Sequence, residues 1–315
     1  MEMHQLLHFV VAARCEKLLA ASRELKMSQP ALTRSVGALE KSLGVPLFER
    51  DPRGVRLTPY GKRFLVYAQA ILNERKSAFA ELNAMRKGIF GKVSVGISSL
   101  YTLNIVPLAL AQLLTDHPNV EVAVQEGNFE ELRPTLQNGD LDFLLTIVPD
   151  GIADSALIFE QLIEERLIVV GRPGHPLVPK RKIAAEEAVA YPWIISDQLL
   201  LEDKVTKQFF LRYGISIDTN TIINAKSIPF RKAAIQRSDV LSLMPAYTIA
   251  DELANGELVR IPMPRLEHSV PAGLVYSSHG VRSRIVDELM DCIRVASGAT
   301  SAGRTSKQRI PRSAS

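Results

Sequence analysis

The sequence predicts two parts of different fold class: an N-terminal all-α winged helix-turn-helix with a long helix behind it, then a C-terminal α/β body. Three observations lead there. Apolar residues recur at helical spacing through residues 1–87, broken by one short hairpin; strand and helix patterns alternate from Gly91 onward; and charge is segregated between the two parts. Residues 1–90 carry 15 Lys/Arg against 8 Asp/Glu, residues 91–298 carry 19 against 26, and residues 299–315 carry 4 against none. A basic first part ahead of an acidic body points to a polyanionic partner for the first part.

Leu6, Phe9, Val10 and Ala13 mark a first helix. After the polar break Arg14-Cys15-Glu16-Lys17, a second is marked by Leu18, Leu19, Ala21 and Leu25. A third opens at Ser28-Gln29-Pro30, where the Ser28 hydroxyl can accept from a free amide and Pro30 has no amide proton to leave unpaired. Gly44 stops it. Its apolar stripe of Ala31, Leu32, Val36, Leu39 and Leu43 turns inward, which leaves Gln29, Thr33, Arg34, Gly37 and Lys41 outside. Strands at 47–50 and 55–57 bracket Asp51-Pro52-Arg53-Gly54 as a small wing that gathers Arg50, Arg53 and Arg56. Thr58-Pro59 repeats the capping pattern and opens a long helix over 59–87. On it Phe64, Ala68, Ile71, Ala78, Leu82 and Met85 follow a four-three spacing that so small a domain cannot cover, so dimerisation along this helix is expected.

In the body, residues 93–97, 120–124, 141–147, 166–170, 192–195 and 240–244 read as strands, with helices over 103–115 and 129–138. The basic tail after 298, without apolar periodicity, is expected to be disordered. A length of 315 residues with 46% hydrophobic content supports about two domains with real cores. No apolar run reaches the roughly 18 residues of a membrane span and the N-terminus shows no leader pattern, so a cytoplasmic protein without membrane contact is expected.

Enzyme chemistry finds little support. Neither GxSxG, GxxxxGK[ST] nor HExxH occurs, Cys15 and Cys292 stand alone, and the six histidines are scattered. His4 and His8 share a helical face, but without a third ligand no metal site is expected. A periplasmic solute binder is disfavoured by the basic N-terminal third. Duplex DNA fits better. A recognition helix enters the major groove with its N-terminal side chains at base edges. There Gln29 can pair bidentately with adenine, Arg34 with guanine, and Thr33 can reach a base edge or a thymine methyl. Arg50, Arg53 and Arg56 suit phosphate or a narrow minor groove.

Ser28-Gln29-Pro30-Ala31-Leu32-Thr33-Arg34, Leu39-Glu40, Leu43-Gly44-Val45-Pro46-Leu47-Phe48-Glu49-Arg50 and Leu57-Thr58-Pro59-Tyr60-Gly61 together resemble the signature of LysR-type transcriptional regulators. The resemblance covers residues 4–298 and is most specific over 20–61. It implies a DNA-binding domain (1–58), a linker helix (59–90) and an effector domain (91–298) resembling type 2 periplasmic binding proteins. The first lobe would comprise 91–163 and 268–298, the second 164–267. No cofactor is implied, and Lys17, Ser28, Pro30 and Thr58 complete the DNA-facing set that the resemblance implies. A small-molecule effector would sit between the lobes, two dimers would combine, and RNA polymerase is among the partners admitted. By the same resemblance the effector positions are Ser98, Ser99, Thr102, Gly127, Asn128, Thr146, Ile147, Ser196 and Ser227, whose hydroxyls and amides suit a small carboxylate. Arg133 and Arg231 are candidates for an anion clamp. Lys17, Leu19 and Gly37 depart from the family pattern, as does the stretch 235–247, which lacks the glycines relatives carry there.

Overall fold

In the N-terminal part, the apolar stripes of three short helices close on one another and on a hairpin. The computed structural model describes all residues except 16, 52–53, 87–90, 149–153, 155, 181, 197–203, 213–221, 299–306 and 310–315. Helices α1 (Met3–Cys15), α2 (Leu18–Glu24) and α3 (Gln29–Leu43) precede the antiparallel strands β1 (Phe48–Asp51) and β2 (Gly54–Leu57). Leu6, Phe9, Leu39 and Leu47 form one buried cluster, and Ala12, Ala21, Leu32 and Val36 another. The turn between α2 and α3 sets Lys26 at φ 52, in the left-handed region that favours glycine.

The long helix α4 (Pro59–Arg86) runs 28 residues, about 40 Å at 1.5 Å per residue. The expected seam along it divides in two. Phe64 packs on the Phe9 ring at 5.5 Å and Ala68 is fully buried among the N-terminal core, so these two are consumed within the chain. Ile71, Ala78, Leu82 and Met85 remain exposed, joined by Phe79 at 63%. Between Ile71 and Ala78, α4 meets the body. Asn73 Nδ2 donates to Gln137 O at 3.1 Å, Lys76 pairs with Asp140, and Glu74 accepts from the Val281 amide at 3.1 Å. Beside these contacts a cavity of about 270 Å³ separates Val10, Leu65 and Val66 from Leu136 and Leu157.

The body begins with β3 (Gly91–Ile97), α5 (Ile105–Asp116), β4 (Val120–Glu126), α6 (Phe129–Gln137) and β5 (Phe143–Ile147). Strands β4, β3 and β5 are parallel neighbours. Then comes β6 (Leu157–Gly171), a single 15-residue strand where the sequence predicted only 166–170. Its first half belongs to the first lobe and its second half to the second, so it joins them. Next follow α7 (Ala185–Val189), β7 (Trp193–Ile195), α8 (Lys204–Arg212), β8 (Ile222–Asn224), α9 (Ile228–Arg237) and β9 (Ser242–Pro245). The chain continues through α10 (Ala250–Ala254) and β10 (Val259–Arg260), and returns along β11 (His268–Ser277), antiparallel to both β5 and β6. Helix α11 (Arg284–Ala296) packs with α5 on one face of the first lobe, and α6 covers the other. In the second lobe, β9 pairs with β6 while α8 and α9 lie on separate clusters. The tail departs from the expectation at one point: β12 (Lys307–Arg309) pairs with residues 158–160 of β6.

Candidate DNA-reading and effector-binding sites

The reading helix α3 is positioned by short-range hydrogen bonds. The Ser28 hydroxyl accepts from the Ala31 amide at 3.4 Å, Pro30 lies in the first turn, and Gly44 closes the other end at φ 73. Gln29, Pro30, Thr33, Arg34 and Gly37 are all exposed on one side, while Leu32, Val36 and Leu39 are buried on the other. His8 Nδ1 meets Ser35 Oγ at 2.8 Å and so ties α1 to α3, which gives His8 a structural partner. Burial lowers its pKa, with the nearby His4 ring adding to the effect.

Lys17 precedes α2 in extended conformation and is exposed, with no side-chain cap. Arg56 is exposed on β2, opposite Glu49. The backbone pairs Arg50 with Val55; the Arg50 side chain and all of Arg53 lie outside the described residues. Thr58 departs from expectation. It is 7% exposed, and its hydroxyl donates to Pro46 O at 2.7 Å while accepting from the Gly61 amide at 3.0 Å. These two bonds hold the wing to α4 and leave Thr58 nearly buried. Sequence reasoning missed a similar brace: Glu40 Oε1 accepts from the Leu47 and Phe48 amides at 2.7 and 3.0 Å and fixes where the wing starts.

The nine expected effector positions lie at the ends of strands or the starts of helices. Ser98, Ser99 and Thr102 follow β3, Gly127 and Asn128 follow β4, and Thr146 and Ile147 end β5. Across from them Ser196 follows β7 and Ser227 precedes α9. Several are already engaged. Asn128 Oδ1 caps α6 through the Glu131 amide at 2.9 Å, and Ser227 Oγ caps α9 through the Phe230 amide at 3.3 Å. Thr102 Oγ1 donates to Ser99 O at 2.8 Å, and Thr146 is fully buried with its hydroxyl on Ile147 O at 3.2 Å. Ser98 and Ser196 are buried, whereas Ser99, Gly127 and Ile147 are half-buried.

Two approaches between the lobes were not visible in the sequence. Lys226 Nζ reaches Glu131 Oε1 at 2.6 Å, from just before α9 to the first turn of α6. The lysine holds the Glu131 carboxyl below its usual range, aided by the Asn128 amide. The Tyr247 hydroxyl, beyond β9, lies near Asn104 and Ile105 of the first lobe; burial raises its pKa and these two neighbours oppose the rise. Of the two arginines, Arg133 pairs with Glu130 at 3.0 Å on α6. Arg231 is only 2% exposed: Nη1 donates to Leu243 O at 3.3 Å, Nε has no partner, and burial pushes the guanidinium down to about 10.

A basic helical head, a long helix and a two-lobed α/β body with polar strand ends are the parts of an effector-responsive DNA-binding regulator. Comparison narrows the class. Residues 3–62 match the bacterial regulatory helix-turn-helix proteins of the lysR family, and residues 86–297 match the LysR substrate binding domain. The chain belongs to the LysR family of transcriptional regulators. It is 29% identical over 300 residues to the HTH-type transcriptional regulator PcaQ of Agrobacterium fabrum, covering 94% of this chain and 95% of that one. Among solved structures, ArgP from Mycobacterium tuberculosis aligns with a TM-score of 0.61 at 20% identity, over 95% and 98% of the two chains. Full-length LysG from Corynebacterium glutamicum, with bound effector Arg, aligns with a TM-score of 0.59 at 16% identity, over 95% and 99%. Both likenesses concern the fold.

Proposed function

We propose that this regulator reads a two-part DNA site through paired copies of α3 and changes that reading when a small polar molecule enters the cleft between its lobes. The observation that carries the DNA side is the exposed donor face of α3, with Gln29, Thr33 and Arg34 on the basic part of a chain whose body is acidic. Gln29, Thr33 and Arg34 read base edges. Lys17, Arg50, Arg53 and Arg56 meet phosphates, and Ser28 with Pro30 sets the start of the helix against the DNA. Exposed Ile71, Ala78, Leu82 and Met85 supply a dimer seam, and two dimers combine. The protein works in the cytoplasm, where RNA polymerase is the partner its regulation would reach.

For the ligand, Ser98, Ser99, Thr102, Gly127, Asn128, Thr146, Ile147, Ser196 and Ser227 bound the cleft. Asn128 and Ser227 stand at the starts of α6 and α9, one in each lobe, and hydroxyl and amide donors of this kind suit a small carboxylate. The bound Arg of LysG supports a small-molecule ligand in a body of this fold.

Fluorescence anisotropy on the operator and on scrambled duplex tests the division of labour. Arg34→Ala is expected to lose roughly 1–3 kcal/mol on the operator alone. Arg53→Ala should weaken both duplexes and shallow the salt dependence by about one unit. Equal losses on both duplexes in both variants would refute it.

A further inference from the structure

Strand β6 carries two buried glutamates five residues apart, and the fold treats them oppositely. Glu160 is 1% exposed; its oxygens accept from Arg294 Nε at 2.7 Å, Arg294 Nη2 at 2.9 Å and the Tyr276 hydroxyl at 3.2 Å. Glu165 is 2% exposed, yet its Oε1 has no hydrogen-bond partner and no cation pairs with it among the described residues. Buried polar atoms are nearly always satisfied, by protein, water or ligand. A bare carboxyl is the exception to explain.

Its place in the register is informative. Ile163 lies opposite Ala272, which on its other side lies opposite Ile147 at the end of β5. Leu167 lies opposite Pro245 at the end of β9. Glu165 therefore sits on β6 midway between the levels of two strand ends, one from each lobe, where the cleft proposed above would have its floor. Two tyrosines flank it. Tyr101, in the turn after β3, is fully buried with its hydroxyl also unpartnered, and Tyr247 follows β9; both hydroxyls feel the Glu165 charge, which raises their pKa behind the larger effect of burial. Burial alone pushes the Glu165 carboxyl up to about 7, as expected of a group lacking a resident counter-ion.

We infer that Glu165 and the Tyr101 hydroxyl form a subsite on the cleft floor that takes a hydrogen-bond donor of the effector, a hydroxyl or an ammonium group. The effector is then a hydroxylated or aminated organic acid rather than a plain one. This rests on the cleft being the effector site. Both groups share the same chemistry, donation into an accepting oxygen, and the variants below separate them.

The test is calorimetric titration of the full chain with matched acids: propionate, lactate and alanine, then benzoate with its hydroxy and amino derivatives. At least one hydroxylated or aminated member is expected to bind saturably, roughly tenfold or more tighter than its parent acid. Glu165→Leu should remove that preference. Glu165→Gln keeps an accepting oxygen, so a hydroxyl ligand should lose less than about threefold and an ammonium ligand more than about tenfold. Tyr101→Phe, which deletes one hydroxyl, provides a second reading if Glu165→Leu does not fold, and should weaken the same ligand by roughly threefold or more. Parent acids binding as well as their derivatives, or substitutions that leave the preference intact, overturn the subsite and spare the cleft. Silence from every compound overturns both.

Discussion

The head and the body of this regulator are held together over different distances along the chain. In the head, Ser28 reaches three residues to Ala31, Glu40 seven and eight residues to Leu47 and Phe48, and Thr58 twelve to Pro46. In the body, Asp142 accepts from the Ser94 amide 48 residues away, Lys226 reaches Glu131 across 95, and Arg294 reaches Glu160 across 134. Local braces make the head self-contained and preset the angle of its reading helix. Distant braces make the body's two lobes depend on a few crossing points, where a ligand can tip their balance.

Collisions at glycine give the largest expected effects and test that separation directly. A Cβ at Gly61 would strike the Leu47 carbonyl, and one at Gly273 would strike the Glu160 carbonyl beside a register shift in β11. Gly61→Ala should destabilise the head by on the order of 4 kcal/mol and leave the body intact, and Gly273→Ala the reverse. Calorimetry resolves this. A single merged transition lowered equally by both would break the comparison.

Next in size is the pH dependence carried by Glu165. Its folded pKa of about 7 lies above the value of 4.5 it has when exposed, so the folded state binds more protons in between. Its contribution is fully present below about pH 4.5 and lost as pH rises through about 7, a change of about 3 kcal/mol. Denaturant melts from pH 4.5 to 8 should therefore show the body of Glu165→Gln losing less stability than wild type. Parallel curves would mean that Glu165 is not isolated.

Glu40→Ala removes the acceptor of two amides and should lower head stability by about 2 kcal/mol, with weaker binding to every duplex and unchanged ligand affinity. Smallest is a gain. Lys26→Gly relieves a left-handed backbone and should add roughly 0.5–1 kcal/mol to the head, read from its melting transition.

The same contrast explains what the sequence could disclose. Ser28, Pro30 and Gly44 bound α3 as expected because a cap and a stop act within one turn. Thr58 was legible as a cap, but its second bond, to Pro46, was not. Phe64 and Ala68 show the limit of periodicity: helical spacing says that something covers a stripe, not whether the cover is another copy or Phe9 of the same chain. Strand β6 was half missed because Glu160, Glu164 and Glu165 interrupt its apolar pattern, and what makes Glu160 tolerable inside is an arginine far along the chain. The bareness of Glu165 depends on its place between two strand ends far apart in the chain, and no local window holds it.

The grip of the first lobe on α4 has a mechanical consequence. Asn73, Glu74 and Lys76 are held by the body, while the far end of the same helix, near Ala68 and Phe64, is built into the core that carries α3. From Asn73 back to Pro59 is about 20 Å of stiff rod at 1.5 Å per residue. A tilt of about 10° at the grip sweeps its end through about 3.5 Å, close to the roughly 3.4 Å rise between successive bases along a strand. If two copies pair along α4, as proposed above, a ligand-induced rotation too small to alter the body's outline would change the spacing between their reading helices by a step that DNA can register.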